Sequence, residues 1–169
     1  AHNEAKYISK TLDSLLNQSF KATKILVVDD SSTDDTLAVL KSYSESNEAI
    51  SCITKPSVGG HNPGSKVIEA FNFGLQQLDD SYDIICKYDA DLIFPSNYLE
   101  AVVGTFQESS KIGMAGGFCY IEKNGEWTLE NLTNKDHIRG ALKAYTKSCF
   151  SKIGGLKSAM GWDTIDEII

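Results

Sequence analysis

Apolar positions along this chain alternate between two periods, and the alternation lays out its elements. Residues 4–17 carry Ile8, Leu12, Leu15 and Leu16 at helical spacing, which predicts an amphipathic helix. Residues 24–29 then read Lys-Ile-Leu-Val-Val-Asp, a nearly unbroken apolar run of the kind buried on both faces of a parallel sheet. Ser31-Ser32-Thr33-Asp34 supplies helix-capping chemistry, and Leu37, Val39 and Leu40 predict a helix as far as Tyr43. A short strand follows at 50–54. Residues 56–65 hold three glycines and two prolines and read as a loop. Val67, Ile68, Phe71 and Leu75 share one face of a helix over 67–78, and 82–88 is the next strand. Pro95 opens a further helix reaching about Phe106. The order helix-strand-helix-strand-helix-strand-helix implies a mostly parallel, Rossmann-like α/β sheet flanked by helices. The second half breaks this rhythm. It predicts a strand over 112–122, a turn at Lys123-Asn124-Gly125, a loop over 126–134, a strand over 141–146 and a helix over 147–153, which together form a smaller antiparallel part.

Two of these strands end in paired carboxylates: Asp29-Asp30 after the first, and Asp89-Ala90-Asp91 after the third. Ligands of open α/β sheets bind just beyond the carboxyl ends of the strands. Two acidic strand ends therefore point at one site of high negative charge, suited to a divalent cation and a ligand that the cation can hold.

Composition narrows the classes. The 169 residues fit one domain, residues 1–169, with a real core, at 41% apolar and 23% charged content. Acidic residues outnumber basic ones by 23 to 16, giving a net charge of −7. No Lys/Arg cluster forms a phosphate-backbone footprint, so a nucleic-acid partner is not expected. No apolar run is long enough to span a membrane, and no secretory signal is visible. Cys52, Cys86, Cys119 and Cys149 form no CxxC pair and are expected as reduced thiols of a cytoplasmic protein. His2, His61 and His137 show no metal-ligand spacing. The opening at Ala1 and the close at Ile169 lead us to expect a segment of a longer protein.

Four segments in order resemble the family 2 glycosyltransferases. Ala1-His2-Asn3-Glu4 resembles the end of the family's opening motif, with His2 at a usual tyrosine and the apolar strand ahead of it absent. Val27-Val28-Asp29-Asp30-Ser31-Ser32-Thr33-Asp34 resembles the Val-Asp-Asp-(Gly/Ser)-Ser-x-Asp segment. Asp89-Ala90-Asp91 resembles the DxD motif. Gly154-Gly155 followed by Gly161-Trp162-Asp163 resembles the approach to the catalytic acid, with Trp162-Asp163 where Glu-Asp is common.

The resemblance implies a GT-A fold and a metal-dependent, inverting transfer of a sugar to an acceptor hydroxyl. The donor it implies is a nucleotide-diphosphate sugar, UDP-linked first and GDP-linked second. It also implies a Mn or Mg cation held by Asp91 and Asp89. Donor contacts are implied from Asn3, Glu4, Asp30 (Asp29 as the alternative), Lys66, Asp89 and Ala90. Asp163 becomes the general base, with Asp166 and Glu167 as rivals, and Trp162, less so Trp127, becomes an acceptor contact. The acceptor would be a saccharide or lipid-linked, in cell-surface polysaccharide or glycoconjugate synthesis, with membrane association only through regions beyond this chain. An opening strand absent from the sheet would leave an unpaired edge and favour self-association.

Three other readings fit less of the chain. A phosphoacceptor receiver domain shares the acidic strand end, but it would begin with that strand, and its next acidic strand end would come sooner. A nucleotidyltransferase wants a Gly-rich basic loop that Ala1-His2-Asn3-Glu4-Ala5-Lys6 does not resemble. An inactive sugar-nucleotide-binding module would have little use for intact acidic motifs.

Overall fold

The computed structural model describes residues 1–56, 65–130, 134 and 136–168. The chain begins on α1 (Ile8–Leu16), whose Ile8, Thr11, Leu12 and Leu15 face inward at i, i+3, i+4 and i+7. The helix starts four residues later than its apolar pattern suggests, because Asn3 takes a positive φ of 57° and the chain turns there. The β-branched run forms β1 (Ile25–Asp29), α2 spans Thr36–Ser46, and β2 (Ile50–Thr54) returns parallel to β1, pairing Ile25 with Ile50 and Asp29 with Thr54. α3 (Ser65–Leu75) crosses over β1, and Gly74 permits the close approach: a Cβ there would stand 2.7 Å from Val28 Cγ2.

The expected β3 (Ile84–Tyr88) and α4 (Tyr98–Glu108) follow. Then come β4 (Met114–Ala115), β5 (Tyr120–Lys123), β6 (Glu126–Leu129), β7 (Leu142–Thr146), α5 (Lys147–Lys152) and α6 (Trp162–Ile168). β3 and β4 both pair antiparallel with β7. β5 and β6 form a hairpin whose turn residues Asn124 and Gly125 take φ of 54° and 82°, the geometry of a tight primed turn. Two expectations change here. The strand over 112–122 is two strands divided at residues 116–119. Residues 126–129, expected as loop, are β6; every side chain of that strand is exposed, so no apolar alternation marks it. The loop expected over 56–65 lies, apart from its ends, outside the described residues.

Parallel pairing among the described residues is confined to β1 and β2, and β3 belongs to the antiparallel group. Ala1 extends the free edge of β1, with its nitrogen donating to Val28 O at 2.7 Å and its carbonyl accepting from Asp30 N at 2.8 Å. Between β1 and β3 runs a trough of about 1160 Å³. Leu12, Leu26, Phe71, Ile85, Val102 and Phe106 contribute to its apolar body, and Glu4, Asp30, Lys55, Asp89 and Asp91 stand among its polar lining. A core of Ile68, Ile85, Tyr145, Phe150, Ile153, Leu156 and Trp162 ties α3, β3, β7 and the C-terminal helices together. No helix of the described residues is long and apolar enough to cross a membrane.

Candidate active site

The two acidic strand ends meet at one rim, as their positions after β1 and β3 require. Asp29 and Asp30 take different work. Asp29 is 1% exposed and its carboxylate accepts from Ser32 N at 3.3 and 3.4 Å, which holds the turn after β1. Asp30 points the other way, with Oδ1 2.9 Å from Lys55 Nζ. The geometry thus favours Asp30 over Asp29 as the residue available to a ligand. Lys55 was not singled out in the sequence, although it directly follows β2 and so sits at a strand's carboxyl end beside Asp30; that position is the signal that could have found it.

Asn3 accepts from Thr33 N at 2.7 Å, and Glu4 N donates to Thr36 Oγ1 at 2.7 Å, clamping residues 1–5 onto the loop ahead of α2. Asp34 completes the clamp by accepting from Thr36 N at 3.0 Å and Ala5 N at 3.2 Å. The Glu4 carboxyl is raised above its ordinary pKa, first by burial and then by the negative charge of Asp91, with Asp34 and Asp89 adding to it. Glu4, Asp89 and Asp91 therefore share one field.

Asp89 is held from two sides. Its N–H donates to Ala141 O at 2.9 Å, and its carboxylate pairs with the ammonium of Lys87, itself 5% exposed. Ala90 is fixed through its carbonyl, which accepts from Thr11 Oγ1 at 2.8 Å. Asp91 is exposed, and among the described residues no cation pairs with it or with Glu4. No group of three or more His, Cys, Asp or Glu side chains among the described residues could hold an ion unaided. Two carboxylates on one rim still fit Mg²⁺ or Mn²⁺, which keep waters and take substrate phosphates as remaining ligands. Lys66 is exposed near the start of α3 and lines the same trough.

The candidate base lies across the segment that carries Gly140. Lys87 Nζ donates to Gly140 O at 2.9 Å, and Gly140 packs on α6: a Cβ there would stand 2.8 Å from Trp162 Cζ2 and 3.0 Å from Asp163 Cβ. Asp163 is one-third exposed, and its Oδ2 lies 3.5 Å from His137 Nε2. His137 Nδ1 sits 2.9 Å from Glu167 Oε2. No local pattern links His137 to Asp163, and the contact is visible only in three dimensions. The rivals to Asp163 are otherwise engaged. Asp166 is 5% exposed and bound by Lys143 Nζ at 2.8 Å and by the Tyr145 hydroxyl. Glu167 accepts from Lys143, His137 and Ile138 N. Burial pushes the Glu167 carboxyl up, but these three hydrogen bonds outweigh it and hold the group below its ordinary pKa.

Trp162, expected beside the acceptor, is instead a core residue at 8% exposure, with Lys87 and Lys143 Nζ at 5.2 and 5.8 Å from its ring. Trp127 stands 62% exposed on β6. All four cysteines are free, and burial pushes the Cys86 thiol up to about 11.

Comparison with known proteins bears on the fold and the family. The family model for "Glycosyl transferase family 2" matches residues 1–157. An uncharacterized glycosyltransferase of Mycoplasma pneumoniae is 33% identical over 173 residues, covering 94% of this chain and 55% of its own length. A solved structure of the mannosyltransferase PcManGT from Pyrobaculum calidifontis, in complex with GDP-Man and Mn²⁺, superposes with a TM-score of 0.70 at 19% identity, over 98% of this chain and 48% of that one. Staphylococcus aureus TarS in complex with UDP gives 0.69 at 20% identity, over 98% and 51%. The chain spans about half the length of each of these proteins. The fold and the match over nearly the whole sequence lead to one assignment: this chain belongs to glycosyl transferase family 2.

Proposed function

We propose that the chain forms the donor site of a metal-dependent, inverting glycosyltransferase. Its donor is a nucleotide-diphosphate sugar, UDP-linked first and GDP-linked second. Its acceptor is a hydroxyl of a saccharide or lipid-linked molecule in cell-surface polysaccharide or glycoconjugate synthesis, worked on in the cytoplasm or at a membrane's cytosolic face. The observation that carries this reading is the excess negative charge at the rim: Glu4, Asp89 and Asp91 share one field, the charge of Asp91 raises the Glu4 carboxyl more than the Ala1 ammonium lowers it, and no side-chain cation among the described residues pairs with Glu4 or Asp91. Two solved structures of the same fold, one in complex with GDP-Man and Mn²⁺ and one with UDP, support a nucleotide donor and a divalent cation as ligands.

In this mechanism Asp30, steadied by Lys55, accepts a hydrogen bond from the nucleobase, and Asn3 and Glu4 border the base. Lys66 meets the phosphates from α3. Asp91 and Asp89 would hold the cation, with Ala90 between them pinned to α1 through Thr11. Held there, a divalent cation would supply positive charge to offset the negative charge developing on the departing nucleoside diphosphate. Asp163 takes the proton from the acceptor hydroxyl as that oxygen attacks the anomeric carbon, while His137 holds the Asp163 carboxylate. An ordinary carboxylate is ionised at neutral pH and serves this role without tuning.

The test is incubation with UDP- and GDP-sugars, with and without Mn²⁺, following nucleoside diphosphate release and the anomeric proton by NMR. Mn²⁺-dependent release with inverted configuration, lost in Asp163→Asn, is expected. Retained configuration, or full turnover by Asp163→Asn, contradicts the mechanism.

A further inference from the structure

The mechanism above leaves the buried ammonium of Lys87 without a part. Lys87 is the fourth of the five residues of β3, where an apolar side chain would avoid the loss of hydration that a buried ammonium suffers. Its three contacts are all with the site. Nζ binds the Asp89 carboxylate, donates to Gly140 O at 2.9 Å, and stands 5.2 Å from the centroid of the Trp162 ring. The Gly140 segment that it holds is the one against which Trp162 and Asp163 pack. From the other side Lys143 Nζ, 5.8 Å from the same ring, binds Asp163 O at 2.5 Å and Asp166 Oδ1 at 2.8 Å.

We propose that Lys87 is a positioning residue that couples the cation-binding carboxylate Asp89 to helix α6, which carries Asp163. The proposal rests on the donor-site reading. A divalent cation arriving at Asp89 and Asp91 competes with the Lys87 ammonium for the same carboxylate and repels it. The ammonium can answer only by moving against its two other partners, the Gly140 carbonyl and the Trp162 ring. Donor binding is thereby transmitted to the helix of the base, and α6 is set for the acceptor once the donor is in place. A buried ion pair kept for geometry rather than for stability is the use that such pairs are best suited to.

Trp162 reports the coupling directly. Trp127→Phe removes the exposed indole of β6 and leaves Trp162 as the sole tryptophan. In that protein, Mg²⁺ with UDP or GDP is added while emission is recorded, and calorimetry follows nucleotide binding on the same sample. A shift in Trp162 emission that tracks the calorimetric isotherm is expected. Adding Lys87→Met, checked for folding by circular dichroism, removes the shift while calorimetry still registers the nucleotide. Nucleotide binding with unchanged Trp162 emission overturns the coupling whatever the variant does. An equal shift in Lys87→Met overturns it too. Absence of any nucleotide binding overturns the donor reading itself, and the coupling with it.

Discussion

Gly140→Ala adds one methyl group where the donor rim meets the helix of the base. An alanine Cβ would stand 2.8 Å from Trp162 Cζ2, 3.1 Å from Trp162 Cη2 and 3.0 Å from Asp163 Cβ. Carbon atoms pack at about 3.5 Å or more, so the shortfall is about 0.7 Å. The Trp162 ring cannot swing aside, since it is 8% exposed among Ile68, Ile85, Tyr145, Phe150, Ile153 and Leu156. The strain therefore moves α6. Overpacking of this kind costs about 1–3 kcal/mol, which for a chain of this size lowers Tm by roughly 2–12 °C and leaves the protein folded at 25 °C. A reacting group misplaced by about 1 Å can cost on the order of 100-fold in rate. Displacing Asp163 by most of that distance is expected to lower kcat by roughly 10- to 100-fold. The Asp30 end of the site does not feel the methyl, so nucleotide affinity stays within about threefold, a change of under 1 kcal/mol. The assay compares nucleoside diphosphate release, calorimetric nucleotide affinity and thermal melting in the two proteins. Wild-type kcat in a Gly140→Ala protein of lowered Tm would refute the placement of Asp163 as base. Unchanged Tm would refute the packing itself.

Asp30→Ala removes the acceptor offered to the nucleobase. It should weaken nucleotide binding by roughly tenfold or more, the scale of a hydrogen bond to a charged group at about 1.5–3 kcal/mol. It should also lower Tm, because the nearly buried Lys55 loses its ion pair; unchanged affinity by calorimetry would remove Asp30 from the site. Glu167 gives the acid limb of stability. Its folded pKa lies below the ordinary 4.5, so its contribution is complete above about pH 4.5 and is lost as pH falls through the lowered value. Glu167→Gln should flatten that part of the Tm–pH curve and leave the region above pH 6 parallel to wild type; an unchanged acid slope would contradict the assignment.

What could be read from sequence followed the physics of each element. The strand-end aspartates were legible because each set of carboxylates closes a long apolar run, where the change from apolar to acidic is abrupt. α1 and α3 were legible from helical spacing. β6 was not, since Glu126, Trp127, Thr128 and Leu129 are all exposed and only the Asn124-Gly125 turn betrays the hairpin. The buried lysines were invisible for the opposite reason. Lys55, Lys87 and Lys143 read as surface residues in one dimension, and only the fold shows the carboxylates that draw them inward. Lys87 did leave a trace, as the one charge inside Ile84-Ile85-Cys86-Lys87-Tyr88. The burial of Trp162 was not legible, because aromatic side chains beside a motif look alike in sequence whether they line a cleft or fill a core. His137 reaches Asp163 across 26 positions of sequence, a contact that depends on how β7 and α6 pack.

The central claim is that the acidic rim binds a nucleotide through a divalent cation at Asp91. Calorimetric titration of UDP, GDP and CMP, with and without Mn²⁺, into the wild-type chain and Asp91→Ala tests it most directly. The account predicts Mn²⁺-dependent binding of UDP, or of GDP in its place, and loss of that binding in Asp91→Ala with the fold intact. Nucleotide binding that ignores both Mn²⁺ and Asp91, or no binding by the folded wild-type chain, would contradict it.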